Sequence, residues 1–115
     1  MKTNTILVLQ KKLKEDIESI GLHVDSLKII IYDVQAFGSY IAEAIIQGQQ
    51  VIIINDRGQF FLKIYDKIAK KKVDAESIYP EILSAQLNLE EQLNILNNKG
   101  YFKKICAPEK TFKNS

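Results

Sequence analysis

Residues able to do chemistry are sparse in this chain. His23 is the only histidine and Cys106 the only cysteine, so a zinc site built from nitrogen and sulfur donors lacks its usual ligand set. A Cys106 thiolate activated by the His23 imidazole would be a nucleophile, but an isolated pair is far more often a small core thiol and a surface imidazole. Carboxylates are plentiful, yet an acid and base pair is defined by separation in space, which spacing along the chain does not give. Neither G-x-G-x-x-G nor G-x-x-x-x-G-K-[ST] occurs, so a glycine-rich phosphate cradle is missing. The sequence therefore assigns no catalytic residue, no metal ligand and no cofactor, and it points to a protein that works by binding.

Charged and aromatic side chains supply the binding candidates. Arg57 stands at the tip of Asp56-Arg57-Gly58. Turn chemistry accounts for that trio by itself, because glycine tolerates positive φ and the Asp side chain can bond the turn backbone; contact with a partner is the minor reading. Asp74, Glu76, Glu81, Glu90 and Glu91 fall in a window without Lys or Arg, between Lys72 and Lys99. A surface this acidic suits a basic partner, mainly through encounter rate and specificity, while a solvated helix surface with acids near helix starts gives the same pattern. Lys67, Lys70, Lys71 and Lys72 read as a solvated loop. A nucleic-acid groove would add aromatic side chains nearby, and the formal net charge is only +2, which disfavours nucleic acid as the partner.

The elements that must carry these residues follow from periodicity. Ile6, Leu9, Leu13, Ile17 and Ile20 recur at spacings of three and four, which predicts a helix over about residues 5–20. Thr3, Asn4 or Thr5 can cap it and Gly21 can end it. Four runs rich in isoleucine, tyrosine and phenylalanine follow: Leu27 to Val34, Ser39 to Ile46, Gln50 to Asn55 and Gln59 to Tyr65. Their connections, Ala36-Phe37-Gly38, Gln47-Gly48-Gln49 and Asp56-Arg57-Gly58, are too short for parallel crossovers, so the strands form antiparallel hairpins. Beyond them, Pro80 suits the first turn of a helix from about Tyr79 to Leu87. Asn88 followed by Glu91 reads as a capping box for a helix from Leu89 to about Asn98, with Leu89, Leu93 and Leu96 inward and Gly100 as its stop.

The expected fold is α+β: a four-stranded antiparallel β-meander with one N-terminal helix and two C-terminal helices. At 115 residues, 46% hydrophobic and 26% charged, the composition is that of one globular domain, residues 1–115, with a frayed tail after about Pro108. A lone cysteine and an amino terminus without an apolar segment and cleavage site suggest a reduced, cytoplasmic protein. No apolar run exceeds four residues, so no membrane span is expected.

The sheet itself carries too much apolar surface for one covered face. Alternation sets Phe60, Leu62 and Ile64 on one side of the last strand and Gln59, Phe61, Lys63 and Tyr65 on the other. Ile52 to Ile54 and Ile29 to Ile31 are apolar on both sides, a pattern of strands shielded on both faces. A patch of Phe61, Tyr65, Tyr32 and Ile30 is thus expected either under the carboxy-terminal segment or at an interface.

The stretch AFGSYIAEAIIQGQQVIIINDRGQFFLKI, residues 36–64, and LEEQLNILNN, residues 89–98, resemble small bacterial proteins in which an F-G-small segment starts a strand, a D-R-G turn joins the next two and an L-E-E-Q helix follows. Several of these look like immunity proteins encoded beside polymorphic or contact-dependent growth inhibition toxins. The resemblance implies a cytoplasmic protein that binds a cognate toxin domain without catalysis, through the acidic window or through the strand face bearing Phe61 and Tyr65. It transfers no binding residues. The chain lacks the strongly acidic balance common in antidotes to nucleases, which leaves the toxin's chemistry open. A homodimeric scaffold or adaptor is the alternative, and a small nucleic-acid-binding regulator ranks third.

Overall fold

The computed structural model describes residues 2–33, 35 and 38–102. Val34, Ala36, Phe37, Cys106 and the tail beyond Pro108 lie outside the described residues, so the pairing of Cys106 with His23 weighed above lies outside them too.

The fold is α+β, with helix α1 (Lys2–Glu18), an antiparallel sheet, and two further helices in the order β1 (Val24–Asp33), β2 (Ser39–Ile46), β3 (Gln49–Asp56), β4 (Gln59–Asp66), β5 (Lys71–Asp74), α2 (Ala75–Ile78) and α3 (Leu89–Asn98). The five strands lie side by side in sequence order. Four were expected. The fifth is the basic run: Lys71 and Lys72 pair with Asp66 and Tyr65, reached by a turn whose last residue, Lys70, takes φ +57. Its composition hides it, because a short, lysine-bearing edge strand lacks the apolar alternation of an interior strand.

The first helix already contains Thr3, Asn4 and Thr5, so none of them stands at its start. The predicted stripe does its work: Leu13 and Ile17 are buried, with Ile6, Leu9 and Ile20 packed beside them. The helix expected over Tyr79 to Leu87 does not form. Instead α2 is a single turn that stops at Tyr79, which sits at φ −121, ψ 87, the extended side of the map that a following proline enforces. Residues 79–87 then run as turns. The last helix spans the expected residues, and its capping box is complete: Asn88 Oδ1 accepts from the Glu91 amide at 2.8 Å and Glu91 Oε1 from the Asn88 amide at 2.9 Å.

One hydrophobic cluster joins the helices to one face of the sheet. Val24, Ile29, Ala42, Ala44, Ile46, Val51, Ile53, Leu62 and Ile64 point into it from the strands, and Ala75, Ile82, Leu89, Leu93, Leu96 and Phe102 meet them from the carboxy-terminal half. Gln92 is fully buried there and anchors α3, its Nε2 donating to the carbonyls of Phe60 at 2.8 Å and Leu87 at 2.9 Å.

At the β3–β4 turn Arg57 takes φ +54 and Gly58 φ +93, the paired left-handed geometry that matches the twist of flanking strands. The side chain bonding this turn is Asn55, whose Oδ1 accepts from the Gly58 amide at 2.8 Å, and not Asp56 as expected. The β1 edge carries two extra residues, between Val24 and Ser26 and between Ile29 and Ile31, where the register with β2 shifts.

Candidate functional site

The face of the sheet turned away from the helices is the candidate site. Its side chains fall into cross-strand rows set by the register. Ile31 lies opposite Ile41, Ile41 opposite Ile54, and Ile54 opposite Phe61, an apolar row across four strands. The adjacent row reads Lys28, Glu43, Ile52, Lys63, Asp74 across all five. A third row has Ser26 opposite Ile45 and Ile45 opposite Gln50, with Tyr65 opposite Lys72 farther along.

None of Ile31, Ile41, Ile45, Ile52, Ile54 and Phe61 belongs to the hydrophobic cluster or packs against it. Ile31 is 53% exposed and Tyr65 43%, while Ile41, Ile52, Ile54 and Phe61 are partly shielded. Neighbouring strands supply that shielding, since side chains directly opposite stand about 5 Å apart. The buried side chains of α1 and α3 all join the opposite face, and among the helices α2 borders this row only at its Phe61 end, through Glu76 and Ser77.

The expected aromatic patch is redistributed. Phe61 and Tyr65 do face outward, and Ile30 is exposed beside the register shift of β1. Tyr32 is not part of it: it pairs with the buried Tyr40 on the helix side and borders α1 at Val8, Leu9 and Lys12. The offset of a strand interrupted by a bulge moves it there, which a straight count along β1 cannot show.

The acidic window does not present one open surface. Asp74 Oδ1 holds Lys63 Nζ at 2.9 Å, Glu76 Oε1 accepts from the Ser84 amide at 3.2 Å, and Glu91 serves the capping box. Glu81 pairs with Lys99, whose ammonium, bonded to it, holds the Glu81 carboxyl below the usual carboxylate range. Glu90 lies in the first turn of α3, partly buried. These acids mostly serve local structure. Asp74 and Glu76 do, however, share a recess of about 340 Å³ with Phe61, so the two candidate surfaces meet at the β4–β5 edge. Arg57 caps the end of the sheet next to the apolar row, and its amide donates to Ser39 Oγ at 3.0 Å.

Sequence reasoning missed two features. One is the ordered charge row, legible only once the register fixes which residues are opposite. The other is Tyr101, whose hydroxyl donates to the Gln50 carbonyl at 2.9 Å and accepts from the Tyr65 amide at 3.4 Å. The pairing of β3 with β4 ends one position earlier, at Val51 and Ile64, and the phenol bridges the two strands beyond it. Burial raises the Tyr101 phenol above its ordinary value, against the lowering effect of the Tyr65 amide.

His23 is exposed, its Nδ1 3.9 Å from Glu18 Oε2 and its Nε2 3.4 Å from Asp25 Oδ1. Among the described residues no group of three histidine, cysteine or carboxylate side chains is placed to hold a metal ion, and no helix is long and apolar enough to cross a membrane. Comparison of the chain with family models, with curated proteins and with solved structures finds no match.

Proposed function

We propose that this chain is a binding protein with no bond chemistry of its own, and that the outer face of its sheet is where the partner docks. One observation carries the reading: the row Ile31, Ile41, Ile54 and Phe61 joins no core, and contiguous apolar surface left outside a core is the mark of an interface. The neighbouring charges, Lys28, Glu43, Lys63 and Asp74, supply the polar surround that gives such a surface orientation and specificity.

The resemblance to immunity proteins supports a cytoplasmic role in which the partner is a cognate toxin domain. Under this reading the chain occupies the toxin and keeps it from its target. Co-expression with a toxin domain encoded beside it tests this directly. The wild-type chain relieves the growth arrest and co-purifies with the toxin, and Ile54→Lys loses both while retaining its circular dichroism spectrum. Full protection by Ile54→Lys would remove the outer face from the reading.

The second reading, a homodimeric scaffold, is favoured by the order of charges along Lys28 to Asp74.

A further inference from the structure

We infer that a second copy of this chain covers the outer face, the two sheets packing face to face about a two-fold axis that runs along β3. The inference rests on the reading of that face as an interface and names its occupant.

The charge row selects the operator. Across the sheet it runs Lys28, Glu43, Ile52, Lys63, Asp74, positive, negative, neutral, positive, negative, so it changes sign on reflection through β3. A two-fold axis in the plane between two facing sheets, parallel to β3, carries each position to its mirror image across that strand. Glu43 then meets Lys63 of the second copy, Lys28 meets Asp74, and Ile52 meets itself. An axis along the row instead would set Lys28 on Lys28 and Glu43 on Glu43, which like-charge repulsion opposes. The sequence of charges thus fits one isologous pairing and rejects the other.

The flanking rows fit the same operator. Ile41 falls on Phe61 of the second copy, Ile54 on itself, and Ile45 on the Tyr65 line. A branched side chain repeatedly meets an aromatic one, as interdigitating sheets about 10 Å apart require. Aligned sheets cross at about 30°, which keeps the centre in register and displaces the margins. The inner pair, Glu43 with Lys63, is therefore the deciding contact.

The face is small. Five strands about 4.8 Å apart and rows about 7 Å apart give roughly 400 Å² in projection per copy, or roughly 800 Å² for the pair, which is below the roughly 1,000 Å² of a stable specific interface and makes the dimer a weak, transient one. The pairing is a concentration-dependent equilibrium, in which the second copy shields the apolar row until another partner displaces it.

Sedimentation equilibrium of the full chain, wild type against Glu43→Lys and Lys63→Glu, tests this. Wild type is expected to pass from monomer to dimer with rising concentration. Each single variant is expected to dimerise at least tenfold more weakly, because positions 43 and 63 both carry positive charge in the first variant and both carry negative charge in the second. An equimolar mixture of the two variants is expected to regain dimer, since the two positive positions of one chain then face the two negative positions of the other. That recovery also shows that neither variant failed to fold. A dimer that survives both substitutions forms through another surface, and failure of the mixture to recover rejects the axis along β3. A wild-type monomer at every concentration overturns the second copy as occupant, while the reading of the face as an interface then stands or falls on the Ile54→Lys toxin experiment.

Discussion

The Tyr101 hydroxyl lies between the Gln50 carbonyl and the Tyr65 amide, donating to the first at 2.9 Å and accepting from the second at 3.4 Å. One side chain from beyond α3 thereby completes the junction of β3 and β4 where their own pairing stops. Tyr101→Phe keeps the ring and its edge-on contact with Phe102, at 5.3 Å between centroids, and removes only the bridge. The expected cost is about 1–2 kcal/mol, that of partly buried backbone groups losing a partner, read as a lower urea midpoint at unchanged m-value.

The same phenol sets an alkaline limit. Its folded value is raised by burial, as is that of Tyr40, where the Asn55 hydrogen bond only partly offsets desolvation. Above the ordinary tyrosine range, near pH 10, the unfolded chain gives up these protons more readily than the folded one, so stability is complete below that range and falls as pH rises through it. Urea midpoints measured across the alkaline range should fall less steeply for Tyr101→Phe than for wild type.

Ile53 and Ile54 are chain neighbours on opposite faces. Ile53 is fully buried in the cluster, whereas Ile54 stands in the outer row. Ile53→Ala should cost about 2–5 kcal/mol through lost transfer energy and a cavity. Ile54→Ala should cost well under half as much in dilute monomer, with its main effect on partner binding. Equal losses in chemical denaturation would contradict the assignment of an inner and an outer face.

Gln92 supplies its amide to two carbonyls, those of Phe60 and Leu87. Gln92→Leu fills the same space and strands both acceptors, an expected loss of about 2–3 kcal/mol. Gln92→Glu is expected to be worse at neutral pH, where a buried carboxylate faces two oxygens, and to recover on acidification as the protonated acid regains a donor. Thermal melts at neutral and mildly acidic pH distinguish the two substitutions.

Glu81 and Lys99 join the segment after α2 to the end of α3 across exposed surface. Lys99→Ala should move the Glu81 carboxyl upward, with the lowering by its own backbone amide left in place, as followed by carboxyl NMR titration. In the wild type any stability this pair gives is present above the ordinary glutamate value and is lost as pH falls through the depressed one.

How much of this is legible without coordinates depends on where the signal resides. The stripe of Leu13 and Ile17, the strands from Ser39 onward and the Asn88–Glu91 capping box are local patterns, and each is found as read. The edge strand at Lys71 and Lys72 is not, because pairing with β4, and no apolar period of its own, makes it a strand. A straight count puts Tyr32 on the wrong face, since the register shift that turns it leaves no mark in the residue types around it. Along β2 to β4 the excess of isoleucine announces apolar surface on both sides. Which charges stand opposite one another, Glu43 beside Lys28 or Lys63 beside Asp74, is a property of strand pairing, and only the register reveals it.

Both margins of the sheet are fenced. On one side β1 is broken twice by extra residues, and on the other β5 is four residues long and carries Lys71 and Lys72. Such borders resist templated addition of further strands, so association by this chain has to halt at discrete, countable complexes. Even at high cellular concentration it should give particles of fixed stoichiometry and no fibres.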